Sequence, residues 1–145
     1  MSSDGLEMPR TEITRLVVDR KFVDEYGHIN YLGFPELFEA GQDAHMAGLG
    51  FPFREIQEKF GLRSFVKAMS VTYRGQLFPE DVVHIKTEIS DIGNSSFTFR
   101  QIAEIEEEFI EDHQLAAEFE LVVVLCGADG KKASIPDELR KRLSL

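Results

Sequence analysis

From Phe65 onward the hydrophobic period of this chain changes, and that change limits the available folds more than any other feature. "FVKAMSVTYRGQL" sets Phe65, Lys67, Met69, Val71 and Tyr73 against Val66, Ala68, Ser70, Thr72 and Arg74. "DVVHIKTEISDIG" alternates Val83, Ile85, Thr87 and Ile89 with polar neighbours. With "SSFTFRQIAEIEEE" and "LAAEFELVVVLCG" these make four long strands, because a period of two turns one face of each strand toward a core. "LFPED", "DIGNSS" and "EEFIEDHQ" supply turn chemistry between them. Connections this short predict antiparallel neighbours.

Ahead of the strands the period is helical. In "FPELFEAGQDAHMAGLG", Phe34, Leu37, Phe38, Gly41, Ala44 and Leu49 recur at helix spacing, and Pro35 suits a first turn. Ala40, Gly41, Ala47 and Gly48 are small, so sheet is expected to approach this helix closely on more than one side. "ITRLVVDRKFV" is rich in β-branched residues and reads as a first strand. "REIQEKFG" predicts a short second helix, "ADGKK" a tight turn, and "SIPDELRKRL" a closing helix with basic residues in its last turn. The order β-α-α-β-β-β-β-α defines an α+β fold, with an antiparallel sheet over one long helix. There is no repeat and no linker. One domain is expected over residues 13–145, after a flexible tail at 1–12.

Composition removes several function classes. The formal charge of −10 repels phosphate backbones, so no nucleic-acid partner is expected. No stretch nears the roughly 20 apolar residues of a membrane helix. The N-terminus lacks an apolar signal core, so a cytoplasmic protein with no membrane partner is expected. Cys126, within "LVVVLCGA", reads as a buried inert thiol. His28, His45, His84 and His113 lack ligand spacing, so neither a metal nor another cofactor is expected. The chain has no G-x-S-x-G, no phosphate-cradling G-x-x-x-x-G-K-[ST] and no G-x-G-x-x-G. The acidic run "EIEEEFIEDH" reads as a solvated hairpin tip.

What chemistry remains centres on "VDEYGHINYLGF", residues 23–34. Asp24 stands just ahead of the helix, and an ionised carboxylate there can activate water or attack a carbonyl. Gly27 permits a positive φ or a close approach to a ligand. Amides at a helix head can polarise a carbonyl oxygen. His28 and Asn30 can hold water or orient a substrate. Together these suffice for acyl transfer to water. The same residue types also cap helices and turn chains, and spacing alone leaves both readings open.

The segment Asp24-Glu25-Tyr26-Gly27-His28-Ile29-Asn30-Tyr31, followed by Phe34–Ala40, resembles the signature of hotdog-fold thioesterases of the 4-hydroxybenzoyl-CoA thioesterase type. In that family Asp-x-x-Gly-His-[Val/Ile]-Asn leads into a central helix with a Phe-Glu pair, here Phe38-Glu39. "VTYRGQLFPEDVVHIKTEISDIGNSSF" and "IPDELRKRL" resemble later parts of the family, so the similarity spans residues 13–143. It implies a long central helix wrapped by a curved antiparallel sheet. It implies a homodimer with joined sheets, often paired into a homotetramer, and active sites at the subunit interface. The implied activity is hydrolysis of an acyl-CoA thioester, with no cofactor. Asp24 matches the catalytic carboxylate, as base or nucleophile, and His28 a histidine that positions thioester or water. Amides near Gly27 and His28 would polarise the carbonyl. Other branches use a Glu on the helix, for which Glu39 ranks ahead of Glu36 and Asp43. Tyr26, Tyr31, Arg63, Lys67 and Arg74 are the substrate-binding candidates, with Lys131 and Lys132 as further cations for CoA phosphates. Two departures, Gly75-Gln76 in place of a proline and "EDHQLAAE" in place of a glycine, bear on pocket shape and nucleotide contacts. Rival readings are a non-catalytic acyl-CoA binder, a dehydratase or hydratase on the same fold, and a thioesterase for acyl-carrier protein. The net charge disfavours docking of an acidic carrier.

Overall fold

A computed structural model describes residues 10–107 and 114–145. The tail through residue 9 and residues 108–113 of the acidic run lie outside the described residues. Five strands, β1 (Glu12–Val17), β2 (Arg63–Tyr73), β3 (Val82–Ile92), β4 (Ser96–Ile105) and β5 (Gln114–Cys126), form one antiparallel sheet in the order β1-β3-β4-β5-β2. Three helices accompany them: α1 (Gly33–Gly48), α2 (Phe53–Phe60) and α3 (Asp137–Leu143). The long helix over an antiparallel sheet is the arrangement expected of a hotdog fold.

The period-two pattern sets the burial of β3, which alternates along its length, whereas β2 alternates in sequence but is exposed almost throughout, because it lies at the edge of the sheet. Across the register Ile85, Ala103 and Ala117 line up, as do Thr87, Gln101, Phe119 and Val71. This row meets α1, whose buried residues include Phe34, Leu37, Phe38, Gly41, Gln42, His45 and Met46. Phe38 stacks on Phe119 with ring centroids 4.5 Å apart. Gly41 is needed for this approach, because a Cβ there would lie 2.6 Å from Ile85 Cγ2 and 2.7 Å from Thr87 Oγ1. A buried amide clasp fixes the helix on the sheet. Gln101 Nε2 donates to Phe38 O and to Thr87 Oγ1, each at 2.8 Å, and Gln42 Nε2 donates to Gln101 Oε1 at 3.0 Å. Burial satisfied in this way stabilises because both the oxygen and the nitrogen of the Gln101 amide are partnered.

Three expectations need correction. The first strand stops at Val17 instead of running to Val23. Asp19 accepts a hydrogen bond from the Lys21 amide and starts a one-turn 3-10 helix over Arg20–Phe22. Helix α1 buries one face only, with Glu36, Glu39, Asp43 and Ala47 exposed. Finally, β2 and β3 are not neighbours, since β2 pairs with β5 at the far edge. Three strand spacings are only about 14 Å. The connection 74–81 covers that width, since eight residues reach up to about 26 Å. It is tied on the way, with Leu77 fully buried and the Arg74 and Gly75 amides donating to Ala116 O.

Strand β2 therefore ends the sheet with one side unpaired. Its residues Phe65, Val66, Met69 and Tyr73 are all exposed large side chains. No described helix is long and apolar enough to cross a membrane.

Candidate active site

The chain from Val23 to Gly33 is folded on itself by its own polar groups. A bridge joins Val23 to Ile29, and the Asp24 amide donates to His28 O at 2.9 Å. Within the loop this closes, the Gly27 amide donates to Asp24 O at 3.1 Å, and Gly27 holds φ at +84°. The Tyr26 amide donates to Asp24 Oδ1 at 2.9 Å, the Asx turn that aspartate favours. The other oxygen, Asp24 Oδ2, lies 3.5 Å from His28 Nδ1. Both side chains sit in the surface without being lost in it: that of Asp24 is 19% exposed and that of His28 is 26%. The loop is anchored to its surroundings through the Ile29 amide to Leu77 O, 2.7 Å, and the Asn30 amide to Phe22 O, 2.8 Å.

Aromatic rings frame the acid and the imidazole. Tyr26 stacks on the His28 ring at 5.9 Å, and Phe78 meets it edge-on at 6.3 Å. Asn30 serves the entry to the helix, since its Oδ1 accepts from the Leu32 amide at 2.9 Å and its carbonyl from the Gly33 amide at 2.8 Å. Its side-chain oxygen is thus occupied in shaping the turn. Three amides of this loop, those of Glu25, His28 and Tyr31, donate to no described group, and the last two are the nearer to the helix in sequence. These two stand just ahead of the first turn of α1, whose N-cap residue Leu32 supplies no side-chain acceptor. Open N–H groups at a helix head are the donors that stabilise a developing oxyanion.

The structure thus gathers Asp24, Gly27, His28 and Asn30, with Tyr26 and Tyr31 exposed beside them. It places Glu39 apart. That side chain lines a groove of about 280 Å³ between α1 and β1, with Glu36, Asp43, Lys21 and Val17. Glu36 is paired with Lys21 at 2.9 Å, and burial raises the Asp43 carboxyl above its usual range. Arg74 follows Tyr73 at the near end of β2, but its guanidinium is engaged by Glu118 at 2.8 Å. Arg63 opens the same strand. The eleven residues of β2 put Arg63 and Tyr73 at opposite ends, about 33 Å apart at ~3.3 Å per residue. Arg63, Lys67, Lys131 and Lys132 form no ion pair with a described residue. No described group of three or more His, Cys, Asp or Glu side chains could hold a metal ion.

Two residues of the site were not singled out from sequence. Phe78 supplies an edge to His28, and Tyr73 donates its hydroxyl to Tyr31 O at 3.2 Å. A usable signal existed for Tyr73. The chain has 12 phenylalanines and only 3 tyrosines, and all three tyrosines lie at this loop.

The loop holds an acid and an imidazole 3.5 Å apart ahead of a sheet-packed helix, within a hotdog fold. Over residues 18–143 the chain matches the thioesterase-like superfamily, to which it belongs. It is a thioester hydrolase by that membership. Solved structures agree in fold. The 4-hydroxybenzoyl-CoA thioesterase of Pseudomonas sp. strain CBS-3 superposes with a TM-score of 0.83 at 17% identity, covering 92% of this chain and 99% of that one. The 1,4-dihydroxy-2-naphthoyl-CoA thioesterase of Synechocystis gives 0.81 at 14% identity, covering 92% and 96%. A Staphylococcus aureus protein in complex with CoA gives 0.81 at 16% identity, covering 97% and 85%. No curated protein matches the chain in sequence.

Proposed function

We propose that this protein hydrolyses an acyl-CoA thioester and that Asp24 carries the chemistry. One observation supports this most: the Asp24 carboxylate accepts the Tyr26 amide and lies 3.5 Å from His28 Nδ1, in a loop whose His28 and Tyr31 amides donate to no described group. In the base route Asp24 takes a proton from water as the water oxygen attacks the thioester carbon. The carbon–sulfur bond then breaks, and the proton passes to the departing thiolate. In the nucleophile route Asp24 attacks first, CoA thiolate leaves, and water opens the resulting anhydride. Both routes need the carbonyl oxygen polarised, which the His28 and Tyr31 amides would do. CoA is favoured as the carrier because similar structures are named for CoA thioesters or hold CoA.

The same reading calls for a second copy of the chain. The unpaired edge of β2, with Met69 and Tyr73 exposed, suits antiparallel pairing with the β2 of another copy. Such pairing runs the two strands in opposite directions. It would bring Arg63 and Lys67 of the partner subunit to the Tyr73 end of this one, within reach of a CoA phosphate. A dimer, or a tetramer of two such dimers, is the proposed working form, with residues 13–145 as its single domain.

The experiment is release of free thiol from a panel of short, long and aromatic acyl-CoAs. Turnover of at least one class is expected. A folded protein that binds acyl-CoA and turns over none would overturn the catalytic reading in favour of a binder.

A further inference from the structure

Tyr73 lies on β2, yet its side chain serves the loop ahead of α1. Its ring meets Phe34 edge-on, with centroids 5.1 Å apart and planes at 87°, at the first turn of the helix. Its hydroxyl donates to Tyr31 O at 3.2 Å. Of the open amides in this loop, that of Tyr31 is the nearest to the helix in sequence, and the Tyr31 carbonyl also accepts the Phe34 amide at 3.4 Å. The other anchors of this loop are main-chain bonds at Ile29 and Asn30, both before Tyr31. Past Asn30, the Tyr73 hydroxyl is the tie that reaches in from the sheet. Burial and the neighbouring Tyr31 push this hydroxyl above the ordinary phenol range, so it keeps its proton and remains a donor at neutral pH.

We infer that Tyr73 is a positioning residue for the reaction, holding Tyr31 from the edge strand so that its open amide polarises the thioester carbonyl. This rests on the proposed hydrolysis at Asp24. The physical reason is the steep dependence of oxyanion stabilisation on donor placement. Donors act when they are fixed within hydrogen-bond range of the charge as it develops, and a donor free to drift loses most of its effect. Tyr73 touches Tyr31 and Phe34, not the acid, so its removal should leave the Asp24–His28 pair intact. A tyrosine at this position is then explained by its hydroxyl as well as by its ring.

The test is Tyr73→Phe, which keeps the ring against Phe34 and removes only the hydroxyl. With a turned-over acyl-CoA, kcat is expected to fall about ten-fold, less than the roughly 100-fold or more for removing an oxyanion donor outright, because the amide stays and only its support is lost. KM and the pH dependence of kcat should stay as in wild type. The infrared carbonyl stretch of bound acyl-CoA, read in the Asp24→Asn background, should move toward its value in free solution. A purely structural role would lower thermal stability and leave that stretch unmoved. Unchanged kcat and an unmoved stretch in Tyr73→Phe, with wild type active, would overturn the inference while leaving the reading of Asp24 in place. An inactive wild type would overturn both, and the two failures are told apart by the wild-type assay alone.

Discussion

At the scale of single residues, the loop shows which identities the site needs and which the fold needs. Gly27 sits at φ +84°, and a Cβ there would meet nothing within 4 Å. Gly27→Ala should therefore cost only the left-handed backbone, roughly 1 kcal/mol. The turn that aims Asp24 would loosen with it. The expected result is a small drop in melting temperature and a larger drop in kcat, both from one protein preparation. His28→Gln should reduce kcat without unfolding the protein, because the His28 ring is half-buried and its backbone carries the loop's own bonds. Asp24, Gly27 and His28 were legible in sequence because their spacing alone permits the turn. Tyr73 was hinted at only by the scarcity of tyrosine, since a strand residue gives no sign of which loop its hydroxyl will reach across 42 positions.

At the scale of elements, α1 is held by shape and by a buried amide clasp. Gly41→Ala places a methyl inside contact distance of Ile85, Thr87 and Gln101 and should destabilise by about 1–3 kcal/mol, measured by urea unfolding. Gln101→Leu leaves Gln42 Nε2 without its acceptor in a buried site and should cost about 1–3 kcal/mol in the same assay. The elements themselves were readable from periodicity, and the bounds of α1, α2 and all four long strands fall close to the expected stretches. Neighbour relations were less readable. A short connection is compatible with a hairpin, and nothing local in "RGQLFPED" says that the chain crosses two strands before pairing. The helix was expected to be buried on more than one side. Glu36, Glu39 and Asp43 on its outer face show that small residues alone do not bring a second layer within one chain.

At the scale of the whole molecule, the edge of β2 and the pH response are the informative features. Substituting Lys for both Val66 and Met69 sets charge on the exposed edge strand and should convert the proposed dimer to monomer in light scattering, with the circular dichroism spectrum unchanged. A wild-type protein that is monomeric at micromolar concentration would contradict the proposed assembly. Acid should destabilise the fold well before its surface carboxylates titrate. His45 is fully buried, its Nδ1 has no hydrogen-bond partner, and burial followed by the nearby Arg10 charge lowers its pKa from the ordinary histidine value. Below about pH 6.5 the unfolded chain takes up a proton that the folded His45 resists, so stability present above that pH is lost as pH falls toward the folded value. His45→Met should flatten this slope between pH 7 and 5 in denaturant titrations. Glu106, held down to about 2 by Arg15 and His84, adds its own loss only in stronger acid.

The central claim is that the carboxylate at the head of α1 performs the hydrolysis. It is tested most directly by kcat for Asp24→Asn against wild type on the best acyl-CoA of the panel, with binding of the same substrate measured in parallel. A loss of about 100-fold or more in kcat, with affinity nearly unchanged, is the predicted result for removing an acid–base group. Equal turnover in the two proteins would contradict it and move the chemistry to another acid, with Glu39 the next to substitute.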